Sequence, residues 1–120
     1  MIKIGIIGGA GYTGGELIRL LVNHPDAELA FVHSKSSAGK PLHAIHQDLL
    51  GETDLLFTGE LIRDIDLMYL CTGHGEARKF LEAHPPALHT RVIDLSNDFR
   101  LQAKSTIFDL QFIYGLPEIN

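Results

Sequence analysis

Apolar residues along this chain follow two patterns that alternate from the N-terminus onward. Short runs rich in β-branched and other apolar residues predict β-strands at residues 2–7, 28–33, 66–71 and 91–95, with a weaker run at 55–58. Apolar residues at helical spacing predict helices at residues 12–23 and 76–83, and a His-Pro pair follows each. Beyond residue 100 the pattern weakens, and residues 107–113 are predicted as a strand or an extended loop.

Strands that are nearly continuous apolar runs, alternating with helices, predict a parallel sheet covered on both faces. The expected fold is a single α/β domain over residues 1–120, built on a doubly wound parallel sheet. In such sheets, ligands bind beyond the carboxyl ends of the strands. The residues best suited to contact a ligand follow the predicted strands, at positions 8–14, 34–39, 72–75 and 96–98. We therefore expect a binding site at that edge of the sheet.

A glycine-rich turn follows the first predicted strand and begins the first predicted helix. Gly9, Gly11 and Gly14 have the spacing G-x-G-x-x-G, and Gly8 lies three residues before Gly11. A Rossmann-type dinucleotide site needs glycines where the strand turns, where the backbone approaches a pyrophosphate and where the helix packs on the strand. The turn therefore predicts cofactor contacts from Gly8, Gly11, Tyr12, Thr13 and Gly14. The alternative is a tight turn without a ligand, whereas a phosphate P-loop is excluded because no Lys-Ser or Lys-Thr pair follows Gly14.

The loop after the second predicted strand indicates which dinucleotide binds. An NAD site usually has Asp or Glu about 20 residues beyond the glycines, where it binds a ribose hydroxyl. Here the corresponding residues include Ser34, Lys35 and Ser36, and no acid stands among them. A carboxylate would repel a 2′-phosphate, whereas a lysine and hydroxyl groups can bind it, so the loop favours NADP over NAD. A solvated loop that binds no ligand is the alternative.

Composition limits the classes of partner and location. The chain has 120 residues, of which 45% are apolar and 21% charged, as is typical of a soluble globular domain. A formal net charge of -5 argues against nucleic-acid and anionic-membrane partners, and no apolar run approaches the ~20 residues of a membrane span. Cys71 is the only cysteine, which excludes an internal disulfide and indicates a reducing, cytoplasmic location.

Two groups of reactive side chains are interpreted as structural. Cys71 ends an apolar strand, so we expect a buried, neutral thiol rather than a nucleophile. His43, His46 and Asp48 could suggest a metal site. Two histidines three residues apart are weak evidence for one, and we expect no metal.

Five segments, taken together and in this order, carry a resemblance to a known enzyme family: residues 8–17 (GGAGYTGGEL), 34–40 (SKSSAGK), 73–75 (GHG), 94–100 (DLSNDFR) and 114–118 (YGLPE). They are similar to the N-acyl-γ-glutamyl-phosphate reductases of arginine biosynthesis, which resemble the aspartate-semialdehyde dehydrogenases. The matches run through the whole chain, and together they are far more specific than any one motif. Lys35 stands where this family commonly has Arg, so a bidentate contact with a 2′-phosphate becomes a point-charge contact.

The resemblance implies further site residues. Thr72, Gly73 and His74 would contact the cofactor. Ser96 and Arg100 would face the phosphate or carboxylate of the substrate, either of which a guanidinium fork matches bidentately. Structural alternatives stay open, since His74 could be a helix-entry residue and Arg100 could form a solvated pair with a neighbouring aspartate.

The family also implies an activity and a second domain. Its members use NADPH to reduce an N-acyl-glutamyl phosphate, a small-molecule acyl phosphate, to the semialdehyde. A cysteine thiolate displaces the phosphate to form a thioester, which hydride then reduces. That cysteine lies in an Asn-Pro-Gly-Cys motif of a catalytic domain, and this chain ends at Asn120 without one. The chain is expected to be the N-terminal, NADP-binding domain of a two-domain, homo-oligomeric enzyme, with no catalytic residue of its own and no activity alone.

Two other functions use a glycine turn of this kind. A short-chain reductase or epimerase would need a Tyr-x-x-x-Lys pair, and none of Tyr12, Tyr69 and Tyr114 has Lys four residues later. A non-catalytic, NADP-sensing module needs no nucleophile, so the sequence leaves that alternative open.

Overall fold

The computed structural model describes residues 1–72 and 76–95 and, beyond them, two short strands at 106–107 and 110–111. In chain order the strands and helices are β1 (Ile2–Ile7), α1 (Tyr12–Val22), β2 (Ala27–His33), β3 (Phe57–Thr58), β4 (Leu67–Leu70), α2 (Glu76–Ala83), β5 (Arg91–Asp94), β6 (Thr106–Ile107) and β7 (Leu110–Gln111). Two short 3₁₀ helices, Leu42–Ala44 and Gln47–Leu49, lie between β2 and β3.

Five parallel strands form one sheet in the order β3-β2-β1-β4-β5, which confirms the predicted doubly wound α/β fold. From β1 the chain adds β2 and β3 on one side, and then β4 and β5 on the other. The switch point of the sheet therefore lies between the carboxyl ends of β1 and β4, where ligands of such folds bind. The strands β6 and β7 pair with each other in an antiparallel ladder.

Consecutive residues of the central strand β1 pack on opposite faces of the sheet. Ile6 joins a core cluster that includes Ile18 of α1, and Ile7 joins a second cluster that includes Leu81 of α2. Both faces of β1 are thus buried, which explains why its sequence is apolar at consecutive positions instead of alternating.

The segment between β2 and β3 is the part of the core that the sequence pattern did not predict. Leu42 and Leu49, one from each 3₁₀ helix, are buried in the cluster on the α1 side. Such short turns contain too few apolar residues to show a period, so the pattern carried no signal for them. The helix predicted at 12–23 ends at Val22, because the Asn23 N–H turns back to the Leu21 carbonyl.

Candidate functional site

The glycine turn joins the carboxyl end of β1 to α1 at the switch point of the sheet. Gly8 has a φ of 80°, which residues with a side chain rarely adopt, and a Cβ there would lie 2.9 Å from the Cys71 carbonyl oxygen. The N–H groups of Gly8 and Gly9 donate to the His33 carbonyl at 3.1 and 3.0 Å. Gly8 is therefore the glycine at which the strand turns, and the end of β2 fixes that turn.

Gly14 is the glycine that lets α1 pack against the turn. A Cβ at Gly14 would lie 2.7 Å from the Cα of Gly9 and 2.9 Å from the carbonyl oxygen of Gly8, and both are backbone atoms. Gly11, the exposed N-cap of α1, is not crowded in this way, since an added Cβ would lie at an ordinary contact distance of 3.8 Å from the Gly8 carbonyl oxygen. The turning and packing roles expected of the glycines are thus observed at Gly8 and Gly14, and exposed Gly11 is suited to the third role, close approach of the backbone to a pyrophosphate.

The N-terminus of α1 has the features of an anion-binding site. Among the described residues, no side chain caps Gly11, and the first turn of the helix contains no acidic residue. Tyr12 and Thr13 begin the helix and are exposed. The first N–H groups of a helix have no partner within it and carry a partial positive charge, so this end of α1 can bind an anion.

A pocket of about 410 Å³ lies at the carboxyl ends of β1, β2 and β4. It brings together five of the residues that the sequence predicted to contact a cofactor: Gly8, Ser34, Lys35, Ser36 and Thr72. The other predicted residues of the turn, 11–14, form the N-cap and first turn of α1. The structure therefore gathers two predicted groups, the glycine turn and the Ser-Lys-Ser loop, at one edge of the sheet.

Hydrogen bonds of its serine residues hold the loop after β2 in place. The Ser34 N–H donates to the Thr58 carbonyl at 3.0 Å, and the Ser37 N–H donates to the Ser34 Oγ at 3.3 Å. The hydroxyl oxygens of Ser34 and Ser36 lie 3.5 Å apart. Ser34 is buried, whereas Lys35 is exposed at the pocket. The loop thus presents an ammonium group and two neighbouring hydroxyls to the pocket.

Helix α2 contributes a further wall of the pocket, which sequence reasoning missed. Glu76, Lys79, Phe80 and Ala83 line it, and their spacing places them on one face of the helix. His84 follows directly and lines it too. The signal that could have found them was the helical period of α2, read together with its position after a strand at the switch point.

Three of the lining side chains form an aromatic group. The Phe80 ring centroid lies 5.7 Å from that of His33 and 4.9 Å from that of His84. Burial lowers the pKa of His33, and the nearby His84 and Lys35 lower it further. The His33 ring is therefore neutral at pH 7.

Two residues follow β4: Cys71, whose thiol is neutral, and Thr72, whose hydroxyl is buried. Burial raises the pKa of the Cys71 thiol to about 11, and Asp94 adds to the increase. The thiol is thus neutral at physiological pH, as expected, although the Cys71 side chain is partly rather than fully buried. The Oγ1 of Thr72 is buried and has no hydrogen-bond partner among the described residues. Because a buried hydroxyl without a partner is costly, a polar group of a ligand in the pocket would stabilise it.

The remaining predicted cofactor and substrate residues, Gly73, His74, Ser96 and Arg100, lie outside the described residues.

Two of the three residues considered as metal ligands, His46 and Asp48, have other partners. His46 bonds to the Gly9 carbonyl at 2.7 Å, and the Asp48 carboxylate accepts from the Arg19 guanidinium. In the part of the chain that the structure describes, no three His, Cys, Asp or Glu residues are grouped as metal ligands would be. Over the same ranges, no helix has the length and apolar character needed to cross a bilayer.

Comparison with known proteins gives a family match over nearly the whole chain. The family described as "Semialdehyde dehydrogenase, NAD binding domain" matches residues 3–120. Curated relatives named N-acetyl-gamma-glutamyl-phosphate reductase are 55% identical in Parabacteroides distasonis, 53% in Bacteroides fragilis and 52% in Phocaeicola vulgatus. Each alignment covers 100% of this chain and 36% of the relative, so the chain spans little more than a third of their length.

A solved structure supports the fold independently. The chain resembles aspartate semialdehyde dehydrogenase with NADP from Candida albicans, with a TM-score of 0.65 and 19% sequence identity. The likeness covers 82% of this chain and 30% of that one. Because the sequence identity is only 19%, this likeness supports the fold alone, that is, the arrangement of strands and helices.

Proposed function

The chain belongs to the family of semialdehyde dehydrogenase NAD-binding domains, and we propose that it is the NADP-binding part of an enzyme that reduces N-acetyl-glutamyl phosphate to the semialdehyde. The observation that carries the proposal is its identity of 52% to 55% with reductases of that name, over its full length. The chain spans 36% of those relatives, so the reaction belongs to the longer protein and this chain contributes cofactor binding. The proposal places that enzyme in arginine biosynthesis, acting on a small-molecule acyl phosphate.

The glycine turn fits the pyrophosphate of a dinucleotide. The conformation of Gly8 and the close packing of Gly14 keep side chains away from the turn. The first turn of α1 has neither a capping side chain nor a carboxylate among the described residues that would compete with an anion. In the proposal, the backbone at Gly11, Tyr12 and Thr13 binds the pyrophosphate, and the bound cofactor supplies hydride.

The pocket fits the phosphorylated ribose of NADP. Lys35 and Lys79 are exposed at it, from the loop after β2 and from α2, and the hydroxyls of Ser34 and Ser36 lie beside the first of them. Among the described residues, one carboxylate, that of Glu76, also lines it. Because the two ammonium groups outnumber this carboxylate, the charges of these three side chains favour binding of a 2′-phosphate. The Thr72 hydroxyl, which has no hydrogen-bond partner in the described part of the chain, offers the cofactor a further polar contact.

The proposal extends to residues that follow β4 and β5. Both strands are parallel to β1 and end at the same edge of the sheet as the pocket, so residues just beyond them are suited to contact a bound ligand. Gly73 and His74 are proposed to contact the cofactor. Ser96 and Arg100 are proposed to bind the phosphate or carboxylate of the substrate.

Cys71 takes no part in the proposed reaction, because a thiol with a pKa of about 11 is a weak nucleophile at neutral pH. The test is an assay of NADP reduction with N-acetyl-glutamate semialdehyde and phosphate. It compares residues 1–120 with a longer protein that continues into a catalytic domain, each with and without Cys71→Ser. We expect activity only in the longer protein, unchanged by Cys71→Ser.

Two results would contradict the proposal. Activity of residues 1–120 that disappears in Cys71→Ser would make Cys71 the nucleophile. A longer protein that binds NADPH but has no activity on this substrate would favour the non-catalytic, NADP-sensing module.

A cytoplasmic location and a homo-oligomeric full-length enzyme complete the proposal. The single cysteine and its neutral thiol support a reducing compartment. Half-exposed apolar side chains at the edge strand β5 and just beyond it, Ile93 at 40% and Leu95 at 44%, support contact with further protein.

A further inference from the structure

A buried histidine contacts the glycine turn from the segment between β2 and β3. His46 is 7% exposed, and its Nε2 lies 2.7 Å from the carbonyl oxygen of Gly9. A carbonyl can only accept a hydrogen bond, so Nε2 carries the proton and donates it. The sequence analysis interpreted His46 as a structural residue but did not predict this contact. The two residues are 37 positions apart in the chain.

We propose that His46 is a positioning residue for the phosphate-binding turn, an inference that rests on the proposed NADP function. The Gly8 and Gly9 N–H groups already donate to the His33 carbonyl on the β2 side. The bond from His46 fixes the Gly9 carbonyl, the next polar group along the turn. In a planar trans peptide, the following N–H points opposite to that carbonyl. His46 therefore aims the Ala10 N–H away from itself.

The His46 ring is itself held from two sides. A Cβ at Gly15 of α1 would lie 2.6 and 2.7 Å from the ring atoms Cε1 and Nδ1, so the helix accepts the ring only because this position is glycine. On the other side, the ring lies at a tilt against Phe57, with centroids 6.1 Å apart. With so little room to rotate, the imidazole holds the Gly9 carbonyl in one orientation.

A second, exposed contact ties the same segment to α1 without touching the turn. The Arg19 guanidinium donates to Asp48 at 2.8 Å and to Glu16 at 2.9 Å. The side chain of Arg19 is 35% exposed, and those of Asp48 and Glu16 are each 53% exposed. Asp48→Asn therefore weakens the attachment of the segment while leaving the His46 contact in place, which makes it the matched control.

The experiment measures NADPH and NADH affinity by calorimetry, and melting temperature, for residues 1–120 and for His46→Leu, His46→Gln and Asp48→Asn. His46→Leu keeps volume but loses the donor, and we expect both cofactors to bind about five- to tenfold more weakly. The ratio of the two affinities should not change, because both cofactors contain the pyrophosphate. His46→Gln restores a donor and should recover most of the affinity, and Asp48→Asn should bind as the parent chain does.

Gly15→Ala tests the same contact from the side of the helix. Its new methyl group displaces the ring while leaving His46 present, so we expect weaker binding of both cofactors although Ala is the better helix former.

Different results overturn different claims. A parent chain that binds neither cofactor contradicts the proposed function, and this inference with it. A parent chain that binds NADPH while a folded His46→Leu or Gly15→Ala variant binds it equally well contradicts the positioning role alone. Equal losses in His46→Leu and Asp48→Asn would also contradict it, because docking of the segment, not the bond to Gly9, would then set the affinity.

Discussion

At the scale of single residues, Gly11 and Gly14 have the same identity but different surroundings. A Cβ at Gly14 would meet backbone atoms at 2.7 and 2.9 Å, which cannot move away as a flexible side chain could. Gly14→Ala should therefore lower the free energy of unfolding by about 2–3 kcal/mol, against the usual gain from Ala in a helix. Gly11→Ala, which meets no atom closer than 3.8 Å, should cost under about 1 kcal/mol as a poorer N-cap. Urea unfolding of both variants measures the difference, and equal losses would contradict this account of the turn.

His33 makes the stability of the chain depend on pH. Its pKa in the folded chain is lowered from 6.5 by burial, His84 and Lys35, so below about pH 6.5 the unfolded chain binds more protons than the folded one. The contribution is fully present above that pH and is lost as the pH falls toward the folded pKa. We expect a lower free energy of unfolding at pH 5.5 than at pH 7.5, and a smaller decrease in His33→Gln. The exposed His24 gives the control His24→Gln, and the same decrease in both variants would contradict the assignment.

At the scale of elements, the sequence predicted those parts of the fold that have a period or a turn signal of their own. β1 was predicted with its observed bounds because both of its faces are buried. α1 was predicted from the helical spacing of apolar residues at positions 17, 18 and 20–22, of which Ile18 and Leu21 are buried in the structure and Leu20 is exposed. The turn role of Gly8 and the Ser-Lys-Ser loop followed from their places after strands. The contact of His46 with Gly9 could not be predicted, because it depends on tertiary packing between segments distant in the chain. The pocket face of α2 was missed, although the helical period that marks it is present in the sequence.

Helix α2 yields the prediction that belongs to this scale. Lys79 lines the pocket together with Lys35, and reversing its charge should repel a 2′-phosphate. Lys79→Glu should weaken NADPH binding by about threefold at low salt and leave NADH binding nearly unchanged, since an exposed charge is screened. Fluorescence titration with both cofactors measures this. Lys40→Glu is the control, because Lys40 is exposed outside the pocket lining, and equal effects of the two substitutions would show only a change in net charge.

At the scale of the whole molecule, the described residues contain a core on each face of the sheet, one built with α1 and one with α2. A sheet covered on both faces does not need another domain to bury its strands. We therefore expect residues 1–120 to unfold cooperatively and to give a circular-dichroism spectrum with both helix and strand signals. Exposed Ile93 and Leu95 should make the chain associate at high concentration, as sedimentation velocity would detect. A spectrum without mixed signals would contradict the fold.

The preference for NADP over NAD is tested most directly by calorimetric titration of residues 1–120 with NADPH and with NADH at one ionic strength. We expect NADPH to bind more tightly, because Lys35, Ser34 and Ser36 stand where an NAD site has a carboxylate. Lys35→Glu should weaken NADPH binding by about tenfold and change NADH binding little, so that most of the preference is lost. Equal affinities of the parent chain for the two cofactors, or an undiminished affinity of Lys35→Glu for NADPH, would contradict it.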